Sequence, residues 1–237
     1  LNDLVRAGTA LKPGDKVYVN CMDKAVMLFV LGSQPMERGL NLLGAHIDAP
    51  RVDLKQNPLY EEGGMVYADT HYYGGIKKYQ WVARPLALHG VAAKKDGSLV
   101  NICIGEDEED PVVGISDLLI HLAQDQMTKK LSEGVEAENL DIILGGRPLA
   151  GEEKEPVKAT LLKFLREKYD IEEEDLVSAE IEAVPAGRAR DMGLDRSMIL
   201  GYGHDDRVCA YASLRALFSL KGVPERSSCC LLVDKEE

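Results

Sequence analysis

Two patterns of apolar strands alternating with helices, one at each end of the chain, enclose a middle rich in short β-prone runs. This arrangement most limits the fold, because it predicts an α/β domain split by an inserted domain. At the front, residues 1–12 predict a short helix that stops before Pro13, and 16–20, 26–32 and 40–48 predict strands, the second of them buried. At the back, residues 208–220 (VCAYASLRALFSL) are apolar nearly all round and predict a buried helix, followed by a closing strand, CCLLVD. Between them, 86–105 predicts a hairpin around Asp96-Gly97, and 116–126 a helix capped by Ser116 or Asp117. An amphipathic helix is predicted over 153–169, with Val157, Leu161, Leu162, Leu165 and Tyr169 on one face. Residues 176–184 alternate as a strand, Ala179, Ile181 and Ala183 opposing Glu180 and Glu182. The insertion is placed at roughly 52–185, leaving 1–51 and 186–237 as two parts of one domain.

Bulk properties exclude several classes. No window approaches the roughly 18–20 apolar residues of a membrane span, and no signal peptide is visible, although the first residue is not Met. The formal charge of −12 argues against nucleic acid or an anionic membrane as partner. Cys21, Cys103, Cys209, Cys229 and Cys230 lack CxxC spacing and read as reduced core residues of a reducing, cytoplasmic compartment. The acidic run 106–110 reads as a solvated loop, without the spacing of a calcium-binding loop.

Three polar clusters occupy corresponding places. His46-Ile47-Asp48 ends one apolar strand, His204-Asp205-Asp206 sits between a glycine loop and an apolar helix, and Glu236-Glu237 ends another apolar strand. Ligand sites in open α/β sheets form beyond the carboxyl ends of strands. Imidazole with several carboxylates is a ligand set for zinc, cobalt or manganese. His-x-Asp on an extended segment puts both side chains on one face, where Asp48 can orient a ligating His46. Of two adjacent glutamates, one can bind metal while the other acts as general base. Each cluster alone has a plainer reading: a hydrogen-bonded pair, a helix N-cap at Asp205-Asp206, a solvated acidic surface.

The sequence as a whole resembles the zinc aminopeptidases of the aspartyl aminopeptidase and vacuolar aminopeptidase I family, in its bacterial aminopeptidase I-like branch. The resemblance rests on GAHIDAPRVDLKQNPLYE (44–61), THYYGGIKKYQW (70–81), LAGEEKEPVK (149–158), the long block 177–217 containing GYGHDDR, and LVDKEE (232–237). It implies a two-metal catalytic domain interrupted by a β-rich domain used in assembly. By motif, His46 is implied as a terminal metal ligand and Asp48 as its orienting partner. Asp205 is implied as the carboxylate bridging two divalent ions, expected to be zinc, Glu237 as a ligand to one ion, and Glu236 as the general base. Peptide substrates and a homo-oligomer, often a dodecamer, are implied likewise.

In the family the catalytic domain continues past the double glutamate with another carboxylate ligand and a late histidine. The 237 residues are therefore expected to be the front half of such an enzyme or a truncated product, with weak metal binding and little turnover alone. Two other readings stay open: another co-catalytic metallohydrolase such as a deacylase, and a non-catalytic assembly module. His71 and His121 could reach a site or sit at an interface, and His89 reads as structural. His204 yields the ligand role to Asp205, and Arg51, Lys77 and Lys78 could bind a substrate carboxylate.

Overall fold

The computed structural model describes residues 2–235. Along the chain these form α1 (Asn2–Arg6), β1 (Lys16–Cys21), β2 (Ala25–Val30), β3 (Asn41–His46), β4 (Arg51–Glu62), β5 (Met65–Tyr73), β6 (Leu86–Ala93) and β7 (Leu99–Ile104). There follow α2 (Gln124–Thr128), β8 (Ile142–Gly145), α3 (Pro156–Tyr169), β9 (Ala179–Pro185), β10 (Arg190–Met192), β11 (Met198–Leu200), α4 (His204–Phe218) and β12 (Ser228–Val233). The fold is mixed α/β. It divides into two compact units, 1–49 with 201–237, and 50–200. The second division falls after Leu200 rather than 185, because the β10–β11 hairpin groups with the middle unit.

The first unit holds a four-stranded sheet in the order β1-β2-β12-β3. Strand β12 is central, antiparallel to β2 and parallel to β3. Period-two alternation gathers Val26, Leu28, Val30, Ala45, Cys230 and Leu232 into one core against Ala210 and Leu217 of α4. Gly32 is required here: a Cβ would strike the Arg226–Ser227 backbone, where the Gly32 amide donates to Ser227 Oγ at 3.0 Å.

The second unit is built on a six-stranded sheet, β7-β6-β9-β4-β5-β8. Val52, Leu86, Leu88, Ala92, Ile181 and Ala183 share its buried core with Leu165 of α3. The β6–β7 hairpin turns at Asp96-Gly97 as expected, with the Asp96 carboxylate accepting from the Ser98 amide at 2.9 Å. Helix α3 starts at Pro156, and its first turn is held from afar by Glu61 Oε2, which accepts from the amides of Val157 (2.9 Å) and Lys158 (3.0 Å).

Several expectations are corrected. Helix α4 is not buried all round: Asp206, Ala210 and Leu217 face inward, while Val208, Tyr211 and Phe218 are more than half exposed. Of the 116–126 stretch only the last three residues are helical, within Gln124–Thr128. Its Asp117 carboxylate accepts from the Leu118 amide and the Gln126 side chain, a local closure that competes with helix. The front helix ends at Arg6. Cys21, Cys103 and Cys209 are exposed, so only Cys229 and Cys230 are core residues; all five are free. Burial pushes the Cys229 and Cys230 thiols up, which keeps them protonated and unreactive.

Candidate metal centre

The first unit brings two strand ends together. Strands β3 and β12 run parallel with Val233 opposite His46, and the Ile47 amide donates to the Val233 carbonyl at 2.9 Å. Both chains leave the sheet at its carboxyl edge, where sites form in such sheets. Past β12, the Asp234 amide donates to the Lys24 carbonyl at 2.8 Å and its carboxylate pairs with Lys24 Nζ at 3.0 Å. These bonds fix the point from which the chain leaves the sheet. Glu236 and Glu237 follow Lys235 in sequence and lie outside the described residues.

Helix α4 approaches from the glycine loop. Its amino end is opened by Gly203 at φ +78°, where a Cβ would run into the Arg207 guanidinium. No side chain caps this end, so Asp205 and Asp206 are first-turn acids beside the positive end of the helix dipole rather than caps. Successive helix residues point about 100° apart. Asp206 accordingly turns inward and is buried, while Asp205 is exposed.

The His46 ring is oriented by its own strand exit. Its Nδ1 lies 3.0 Å from the Asp48 backbone carbonyl and 3.4 Å from Asp48 Oδ1. A carbonyl only accepts, so in the neutral ring Nδ1 carries the hydrogen and Nε2 presents its lone pair. The Asp48 side chain is 1% exposed and the imidazole 28%, so the orienting group is shielded while the ring keeps an open side. This is the donor geometry of a metal-ligating histidine. Among the described residues, however, no group of three or more His, Cys, Asp or Glu is arranged so that it could hold a metal ion. His46 and Asp205 therefore do not form a ready ligand set within residues 2–235.

The remaining candidates occupy the middle unit. His71 on β5 stands opposite Asp53 on β4, and His89 Nε2 is 2.8 Å from Glu106. His121 is on no helix. Arg51 is buried: its Nε donates to Asp53 at 2.9 Å and lies 3.1 Å from Glu182, and its guanidinium stacks 4.3 Å over the Tyr73 ring. Burial raises the Asp53 pKa, against the pull of Arg51. Arg51 is thus spent on its own sheet. The inward position of Asp206 and the backbone contact that sets the His46 ring were both missed in sequence. The first could have been sought in the spacing of Asp206, Ala210 and Leu217 along one helical face.

The model of the aminopeptidase I zinc metalloprotease (M18) family matches residues 5–237. The chain belongs to that family. A probable M18 family aminopeptidase 1 from Clostridium acetobutylicum is 56% identical over 238 residues, covering 100% of this chain and 51% of the relative. The crystal structure of aminopeptidase I from the same organism superposes with a TM-score of 0.91 at 54% identity, over 99% of this chain and 51% of that one. A yeast mApe1 solved as a dodecamer shares the fold, with a TM-score of 0.66 at 20% identity over 94% of this chain and 50% of its own. This M18 chain spans about half the length of the curated relatives it matches. A zinc metalloprotease family implies a metal cofactor, and the oriented His46 imidazole at the carboxyl edge of the first unit is one donor of the type such a cofactor takes.

Proposed function

We propose that this chain carries part of the catalytic machinery of a metal-dependent aminopeptidase that removes N-terminal residues from peptides. The observation that carries the reading is the match to an aminopeptidase family across residues 5–237. In this reading 1–49 and 201–237 form the catalytic unit and 50–200 is an inserted assembly unit. His46 and Glu237 would each hold one of two divalent ions, zinc being the first candidate, Asp205 would be shared by both, and Asp48 would position His46. When bound, divalent cations would supply a water of lowered pKa and polarise the scissile carbonyl. Glu236 would accept a proton from the attacking water and return it to the leaving amine. The buried Asp48 carboxylate and its backbone carbonyl hold the imidazole by Nδ1, so Nε2 would be the nitrogen offered to a metal.

The test is a chimera in which this chain replaces the matching half of the Clostridium acetobutylicum relative. Hydrolysis of aminoacyl-p-nitroanilides that is abolished by chelator and by Glu236→Gln supports the proposal. Activity that survives Glu236→Gln, or acts on N-acyl rather than free-amine substrates, overturns it. The surface of the middle unit also supports an assembly role. Leu118, Leu119, Ile120 and Leu122 are 55–70% exposed in one run. Such a surface fits a homo-oligomeric contact.

A further inference from the structure

The middle unit encloses an open apolar cavity of about 510 Å³ between its sheet and α3. That lies within the size range of small-molecule sites, about 300–1,000 Å³. The floor is formed by sheet residues such as Leu88 and Ile181, and the roof by Leu161 and Phe164 of α3. Leu54, Leu59, Leu144, Leu161 and Phe164 are only partly buried, although all pack on the core. A well-packed domain would close over such residues, because an unfilled apolar void forfeits dispersion contacts on every wall.

The polar groups of this cavity are few. Thr160 turns its hydroxyl to the Pro156 carbonyl, at 3.4 Å. The one charged lining residue is Arg147, which follows Gly145-Gly146 at the end of β8. Arg147 is exposed, and its guanidinium has no ion-pair or hydrogen-bond partner among the described residues. Asp110, which precedes the lining residue Pro111, is engaged elsewhere: its carboxylate accepts from the Gly105 amide at 3.2 Å and lies 3.6 Å from Lys168. An apolar cavity with a single unpaired guanidinium in its lining fits one ligand chemistry. The tail must be free of polar atoms, and the head must be an anion of carboxylate size that accepts a forked pair of hydrogen bonds.

We propose that this cavity binds an alkyl monocarboxylate, its chain between the sheet and α3 and its carboxylate on Arg147. The inference is independent of the aminopeptidase reading, since no residue of the first unit takes part.

The test is calorimetric titration of the full 237-residue chain with dodecanoate below its micelle concentration. Saturable binding near one equivalent is expected, with dodecan-1-ol weaker by about tenfold or more. Arg147→Glu, an exposed change that leaves the core intact, should weaken dodecanoate by a similar factor and leave dodecan-1-ol unchanged. Leu161→Trp, which fills the slot, should weaken both. Absence of saturable binding, equal affinity for the alcohol, or indifference to Arg147→Glu would each overturn the proposal. So would competition by a second copy of the chain, seen as dodecanoate affinity falling with protein concentration.

Discussion

His46 Nδ1 sits 3.0 Å from the backbone carbonyl of Asp48 and 3.4 Å from the carboxylate of the same residue. The main chain, rather than the acid alone, therefore sets the tautomer. Removing the carboxylate charge leaves the shorter contact in place. Asp48→Asn should lower metal affinity in the active chimera toward the smaller end of what such orienting partners contribute, about tenfold. If His46 is a ligand, as proposed, His46→Ala should cost far more. Competition against a coloured chelator reads both. Equal losses for the two variants would show that Asp48 acts as a ligand and not as an orienting group.

Arg51 is the hinge of a charge cluster on the middle sheet, where Asp53 and Glu182 are register partners on adjacent strands. Arg51→Ala leaves two like charges partly buried and should cost about 2–3 kcal/mol in urea unfolding, less than a fully buried pair because both acids keep some exposure. The pH dependence has a definite sign. Burial holds the Asp53 pKa above its ordinary 3.8 in the fold, so its favourable contribution is present below that value and fades as pH rises through the folded pKa. Arg51 opposes that rise. The penalty of Arg51→Ala should therefore be smaller near pH 4 than at pH 7. A deficit that shrinks with rising pH would contradict this.

Much of this architecture is legible in the sequence because it follows from periodicity. The apolar alternation of 176–184, the Asp96-Gly97 turn and the helical stripe of 153–169 each specify an element locally, and the structure forms them as Ala179–Pro185, the β6–β7 hairpin and Pro156–Tyr169. The misreadings share another cause. Residues 208–220 look buried because the sequence shows that Val208, Tyr211 and Phe218 are apolar, not that they face solvent among the described residues. The 116–126 stretch looks helical for a similar reason, yet its exposed Leu118–Leu122 run has no internal surface to pack on, and helices this short depend on packing. At the site, residue types and strand ends could be read directly. The backbone contact at His46 and the inward turn of Asp206 are properties of folded geometry, and the sequence carries only their preconditions.

Glu61 stabilises α3 across the fold. Helix α3 has no side-chain cap of its own, and its flanking residue Glu155 holds a positive φ of 47°. The Glu61 carboxylate accepts from two first-turn amides instead, and its charge opposes the positive helix end. Glu61→Gln keeps one acceptor and should cost about 1 kcal/mol, while Glu61→Ala should cost about 2 kcal/mol. Urea unfolding followed by far-ultraviolet circular dichroism measures both, and equal effects would point to packing rather than capping.

The run Leu118–Leu122 places four large aliphatic side chains in solvent, with exposures of 55, 70, 63 and 70%. Around it, Met127 and Leu131 are 67% and 68% exposed, so the patch extends along the same segment. Fully covering one such side chain contributes about 1.5–3 kcal/mol, so several together can hold an interface. If this surface meets another copy, Ile120→Asp places a desolvated charge in the contact. The mass of the particle in light scattering should then fall by an integral factor, while the free energy of urea unfolding of the dissociated chain stays within about 0.5 kcal/mol of the parent, as for exposed substitutions. A control change at Lys95, exposed on the β6–β7 turn, should leave the mass unchanged. If Ile120→Asp leaves the mass unaltered, the segment is no contact between copies.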